Sequence, residues 1–134
     1  MPNPEPVVLF FAASAETTAR KIADTLGAQL HGRNPAGKTD AVIEDAAPHL
    51  RTLFAAGHAI IGVCAAGILI RCIGSLVTDK WREPPVVCVA EDGSSAVPLL
   101  GGHHGANRLA VDIANALGGH AALTTAGDVR LGFA

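Results

Sequence analysis

Ala59-Ile60-Ile61-Gly62-Val63-Cys64 is the most apolar short run of the chain. It passes through Ala65-Ala66-Gly67 into Ile70, Ile73 and Val77, spaced for one side of a helix that runs through Leu76. An unbroken apolar run of this length reads as a strand buried on both faces, as in the interior of a parallel sheet. A helix that starts two or three residues after such a strand is the crossover that a parallel neighbour needs.

The same alternation extends outward on both sides. Residues 7–12 form a second buried run. Ser14 stands where it can cap the next helix, with Thr17 and Thr18 in the first turn, Ile22 and Leu26 on the inner side and Gly27 as the stop. Residues 28–31 give a short strand, and Gly32-Arg33-Asn34-Pro35-Ala36-Gly37-Lys38 reads as a solvated, mobile loop. A helix over 46–56 carries Pro48 early, where a missing N–H is tolerated, and packs through Leu50, Leu53 and Phe54. Downstream, 78–85 is a charged connection and 86–90 a buried strand. Glu91-Asp92-Gly93-Ser94 is a tight turn that folds 95–99 back as a hairpin arm, and 120–124 gives the last strand. The expected fold is a single α/β domain over 1–134, three-layered, with a mostly parallel five-stranded sheet and helices on both faces.

At 134 residues the chain can bury roughly two-thirds of its unfolded surface. Apolar content of 49% with 16% charged residues describes a globular protein rather than a disordered one. A net charge of −2 without a basic run gives no footprint for nucleic acid. No apolar stretch reaches the roughly 18 residues of a membrane span, and the N-terminus lacks a basic region before an apolar one, so the expected compartment is the cytoplasm. Cys64, Cys72 and Cys88 lie in apolar surroundings without C-x-x-C spacing, as free buried thiols do.

The candidate site is Gly101-Gly102-His103-His104-Gly105-Ala106-Asn107-Arg108, where glycines and histidines feed a helix with Leu109, Ile113 and Leu117 on one side and Gly118-Gly119 at its end. A glycine turn into a helix leaves backbone N–H groups unpaired, and the helix dipole adds partial positive charge. The geometry suits a carboxylate or phosphate. Glycines there also serve simply to make a turn that a Cβ would block, and that reading stays open. Neither the dinucleotide nor the P-loop fingerprint is present. The expected substrate-binding residues are Gly67, Arg71, Gly101, Gly102, Gly105, Asn107, Thr124 and Thr125. His103 and His104 are the expected catalytic imidazoles, whose ordinary pKa of about 6.5 suits proton transfer near neutrality. Asp92 and Asp128 complete the set expected at the carboxyl edge of the sheet. Adjacent histidines at a helix start diverge by about 100°, so no protein-held metal is expected. Trp81, between Lys80 and Arg82, reads as a packing anchor rather than a ligand stack.

Gly67-Ile68-Leu69-Ile70-Arg71, Asp79-Lys80-Trp81, Pro84-Pro85-Val86-Val87, Glu91-Asp92-Gly93, Val97-Pro98-Leu99-Leu100, Gly101 to Asn107 and Leu123 to Asp128 occur in that order. Over residues 58–128 this series resembles the N-terminal domain of the CbiG family, the cobalt-precorrin 5A hydrolases of cobalamin (corrin ring) biosynthesis. The G-G-H-H-G-A-N form is similar to the domain fused ahead of a precorrin-3B C17-methyltransferase. The resemblance implies a domain that binds or processes a polycarboxylate precorrin intermediate. In the family, a lactone on the corrinoid is opened and a two-carbon aldehyde leaves. The alternatives are an autonomous lactone hydrolase, with Arg71 holding a side-chain carboxylate, and a non-catalytic assembly domain. No cofactor is expected in this domain; S-adenosylmethionine enters only with a fused methyltransferase. The expected partner is a corrinoid small molecule, with no nucleic acid or membrane, and a homodimer is compatible with the reading. The apolar end at Leu131-Gly132-Phe133-Ala134 points to a piece of a longer protein.

Overall fold

In the computed structural model, which describes residues 4–125, the Ala59–Cys64 run becomes the middle strand of the sheet. The elements are β1 (Val7–Phe10), a 3-10 turn (Ala13–Ala15), α1 (Glu16–Leu26), β2 (Gln29–Gly32), β3 (Ala41–Val42), α2 (Ala46–Ala55) and β4 (Ile60–Val63). After these come α3 (Ala66–Ile73) with a 3-10 turn (Gly74–Leu76), β5 (Val86–Val89), β6 (Ser95–Leu100), a 3-10 turn (Gly102–His104), α4 (Ala106–Leu117) and β7 (His120–Ala121). The sheet order is β3-β2-β1-β4-β5-β6-β7. Pairing is parallel from β3 to β5, antiparallel between β5 and β6, and parallel again between β6 and β7.

Side chains alternate across this sheet, so each strand feeds two cores. Val8, Phe10, Ile61, Val63, Val87 and Val89 pack under α1 and α4. Val7, Leu9, Ile60, Val86 and Cys88 pack under α2 and α3. Gly62 is a required gap: a Cβ there would stand 2.7 Å from Leu69 Cδ2, so its absence lets α3 settle onto β4.

The three-layer α/β architecture is the expected one, but the sheet has seven strands rather than five. The hairpin arm is a full strand, β6, and β3 is added at the far edge. With two residues, β3 is too short to show a period, and it pairs only with His31 and Gly32.

Two local expectations need correction. Ser14 is not a cap: the 3-10 turn moves the start of α1 to Glu16, and the Ser14 hydroxyl donates instead to Glu91 Oε2 at 2.6 Å. The 32–38 loop is not merely solvated. The Ala36 and Gly37 amides donate to the Glu16 carboxylate at 2.8 and 3.1 Å, and Arg20 Nη2 donates to it at 2.7 Å. These donors, the Ala36 amide foremost, hold the Glu16 carboxyl below its usual range.

Candidate functional site

Because β6 runs antiparallel to β5, Leu100 lies opposite Val86, at the beginning of β5. The glycine–histidine segment therefore emerges at the edge where β1, β4 and β5 start. Gly67 follows the end of β4, and Arg71 folds back toward it; a Cβ on Gly67 would stand 3.1 Å from Arg71 Nη1. The expected set is thus divided. Gly67, Arg71 and Asp92 occupy the carboxyl edge of the parallel strands; Gly101 to Asn107 with Thr124 and Thr125 occupy the opposite edge. Asp128 lies outside the described residues. Asp92 is a turn residue, its carboxyl held low by the Ser94 hydroxyl and amide.

The segment's conformation follows from its glycines. Gly101 has φ +70°, where L side chains are strained, and a Cβ there would stand 3.0 Å from Pro85 Cα. Only glycine fits between a left-handed turn and the diproline. The Gly101 carbonyl accepts from the amides of His104 (2.9 Å) and Ala106 (3.0 Å), so two of the expected free donors are used internally. Among the described residues, the amides of Gly102 and His103 make no hydrogen bond. The first turn of α4 follows directly, with the positive end of its dipole at this point.

Asn107 is buried, and its Nδ2 donates to Thr125 Oγ1 at 2.7 Å. A Cβ on Gly102 would meet Asn107 Oδ1 and Thr125 Cγ2, each at 3.2 Å. Gly102, Asn107 and Thr125 thus form one packed unit beneath the turn. In it the Asn107 side chain is buried and bonded to Thr125. His103, His104 and Thr124 are exposed above it.

The 79–83 turn supplies what the sequence reading assigned to packing. The Asp79 amide donates to Glu83 Oε2 at 2.9 Å, and the Trp81 amide donates to Asp79 Oδ1 at 3.0 Å. The Asp79 carbonyl accepts from the Arg82 and Glu83 amides. With both acidic side chains turned inward onto the backbone, Lys80, Trp81 and Arg82 are left outward. Trp81 is 75% exposed, so it is not a packing anchor. Its ring lies 6.4 Å from that of His104, and Lys80 Nζ sits 5.0 Å from its centroid. A cavity of about 200 Å³ is lined by Lys80, Trp81, Gly101, Gly102, His103 and His104. The one sequence signal for this was a lone tryptophan between two cations.

Nucleophilic chemistry by cysteine has no support in the geometry. Cys64, Cys72 and Cys88 are buried and free, Cys88 Sγ donates to the Cys64 carbonyl at 3.0 Å, and burial pushes the Cys64 thiol up to about 12. The described residues include no metal-binding group of three or more His, Cys, Asp or Glu side chains and no helix long and apolar enough to cross a membrane.

Comparison with known proteins gives a consistent set. Residues 48–128, more than half of the chain, match the family model described as Cobalamin synthesis G N-terminal. The cobalt-precorrin-5A hydrolase of Salmonella typhimurium is 41% identical over 81 residues, covering 60% of this chain and 23% of that protein. The enzyme of the same name from Priestia megaterium is 35% identical over 82 residues, covering 60% and 22%. The chain therefore spans under a quarter of the length of these curated relatives. A solved cobalamin biosynthesis protein G homologue from Sulfolobus solfataricus superposes with a TM-score of 0.69 at 21% identity, over 90% of this chain and 36% of that one. At that identity the likeness is one of fold.

Proposed function

Given that the chain belongs to the cobalamin synthesis G N-terminal family, we propose that it serves corrin-ring biosynthesis by holding a polycarboxylate precorrin intermediate against the edge formed by Lys80, Trp81, Gly102, His103 and His104. The observation that carries this reading is the exposed Trp81 beside His104, over a cavity floored by glycine. An indole face left in water, next to amides that have no acceptor among the described residues, suits a ligand that is flat and apolar at its centre and anionic at its rim. Acetate and propionate arms then reach the Gly102 and His103 amides and the Lys80 and Arg82 side chains. Buried, reduced thiols agree with a cytoplasmic setting.

Trp81 is the sole tryptophan of the chain, which gives the test a local reporter. Titration with cobalt-precorrin-5A is expected to quench its fluorescence saturably, with a matching change in the ligand's absorbance. No change in either signal overturns the reading.

The names of the curated relatives favour a second, narrower reading: lactone hydrolysis. In this reading His103 or His104 takes a proton from water as the oxygen adds to the lactone carbonyl. The ring C–O bond then breaks to give a carboxylate and an alcohol. Arg71, at the opposite edge, takes no part, and Lys80 and Arg82 hold the carboxylate arms. Gain of one water by the lactone on incubation with the purified chain, read by mass spectrometry, supports hydrolysis; binding without that gain leaves the first reading alone. A fused methyltransferase, with its S-adenosylmethionine, would be a separate module.

A further inference from the structure

A cavity of about 390 Å³ lies away from this edge, between β2 and α2. His31, Val42, Glu44, Asp45, Pro48, His49, Thr52 and Leu53 line it. Its inner wall is a histidine pair that the proposed site does not use. His31, 6% exposed, places Nδ1 2.7 Å from Nε2 of His49, and the rings meet edge to face with centroids 5.0 Å apart.

The direction of this bond can be worked out from its far end. Gln29 Nε2 donates to Glu5 Oε2 at 2.9 Å, since a carboxylate only accepts. Gln29 Oε1, the other end of that amide, lies 2.9 Å from His31 Nε2 and must accept from it. His31 is then the Nε2–H tautomer, its Nδ1 is an acceptor, and His49 Nε2–H is the donor. Every donor in the run points from His49 through His31 and Gln29 to Glu5.

We propose that His31 and His49 form a proton-counting latch between β2 and α2, closed with no added proton or one, and opened by the second. One added proton leaves the bond intact: on His49 Nδ1 it does not touch the facing nitrogens, and on His31 Nδ1 it is accommodated once His49 shifts to its Nδ1–H form and accepts through Nε2. A second places an N–H on both facing nitrogens, and two imidazoliums are driven apart. His49 is the less buried partner, and the cavity gives its ring room to swing toward the Glu44 and Asp45 carboxylates at the rim. The other charged or titratable groups around the pair are Asp40, which accepts from the Leu30 amide at 2.7 Å, His58 beyond α2, and Glu5 through Gln29. Burial lowers both histidines' proton affinity, and for His31 the charge of His49 adds to this while Asp40 opposes it. The folded chain therefore binds these protons later than the unfolded chain. Stability is complete above the ordinary histidine pKa of about 6.5 and is lost as the pH falls below it.

The test has two arms on the purified chain. Long-range ¹H–¹⁵N spectra at pH 7.5 are expected to show both histidines as Nε2–H, with His31 Nδ1 an acceptor; an N–H on His31 Nδ1 overturns the proposal. Denaturant unfolding between pH 7.5 and 5 is then compared with His49→Gln. Glutamine keeps a donor but can turn its amide over to accept from a protonated His31, so the second proton is no longer excluded. The unfolding constant of the parent is expected to rise more steeply, by up to about tenfold per pH unit, than that of the variant. Equal slopes overturn the proposal. Should His49→Gln fail to fold, the spectra of the parent decide.

Discussion

Replacing Trp81 by alanine separates ligand binding from folding, because the residue projects from its turn rather than into the core. A tryptophan side chain offers roughly 150–250 Å² to its surroundings. At 75% exposure, about 110–190 Å² of that remains in water, and a flat ligand lying on one side covers about half. At about 25 cal/mol/Å², the burial contributes about 1.4–2.4 kcal/mol to binding, a loss of about ten- to sixtyfold in Kd on substitution. Fold stability should change by no more than about 0.5 kcal/mol, as for other exposed positions. The assay is absorbance titration with cobalt-precorrin-5A, since the variant has no indole to report, alongside urea unfolding of both proteins. Trp81→Phe should fall between parent and alanine in affinity. An unchanged Kd refutes the stacking role. A Kd loss accompanied by a loss of several kcal/mol in stability refutes the claim that Trp81 acts on the ligand directly.

The remaining expectations concern the frame around the site. Gly101→Ala imposes both a left-handed φ on a β-carbon and a contact at 3.0 Å with Pro85; urea unfolding should show a loss of about 2–4 kcal/mol. Gly118→Ala, at nearly the same φ but with nothing within 4 Å of the added carbon, should cost only about 1 kcal/mol; equal costs would mean that the diproline yields. Glu16→Gln weakens acceptance from the Ala36 and Gly37 amides, so hydrogen exchange at those two positions should quicken. In the parent the same quickening should appear as the pH falls below about 4.5, because the folded carboxylate titrates lower than the free one. Cys64 should resist alkylation at pH 8 until the chain unfolds. Its thiol titrates at about 12 when folded, so its contribution to stability is complete below pH ~8.5 and is lost as the pH rises beyond that. Alkylation of the native chain at the rate of a free thiol would contradict its burial.

Much of the fold was legible because burial on both faces leaves unbroken apolar runs, as at Ile60–Val63 and Val86–Val89. The Glu91–Ser94 turn was equally readable, and it already implied that 95–99 reverses direction. What it did to the site was harder to see. Reversal carries Gly101 to Asn107 to the far edge, so Arg71 and His103 end on opposite sides of the sheet. The exposure of Trp81 is not legible in the sequence, because nothing in Asp79-Lys80-Trp81-Arg82-Glu83 announces that both acids bend inward onto the backbone. The His31–His49 contact joins positions 18 apart on different kinds of element, a distance at which no periodicity connects them.

The inverted strand has a practical corollary. β6, α4 and β7 make a strand–helix–strand unit whose outlet faces the reverse way from that of β1, β2, β4 and β5, so one small molecule carries two independent rims. A dye, bead or affinity handle attached at Asn34, beyond the end of β2, would grip the protein by the rim remote from Trp81 and leave the indole side clear for measurement.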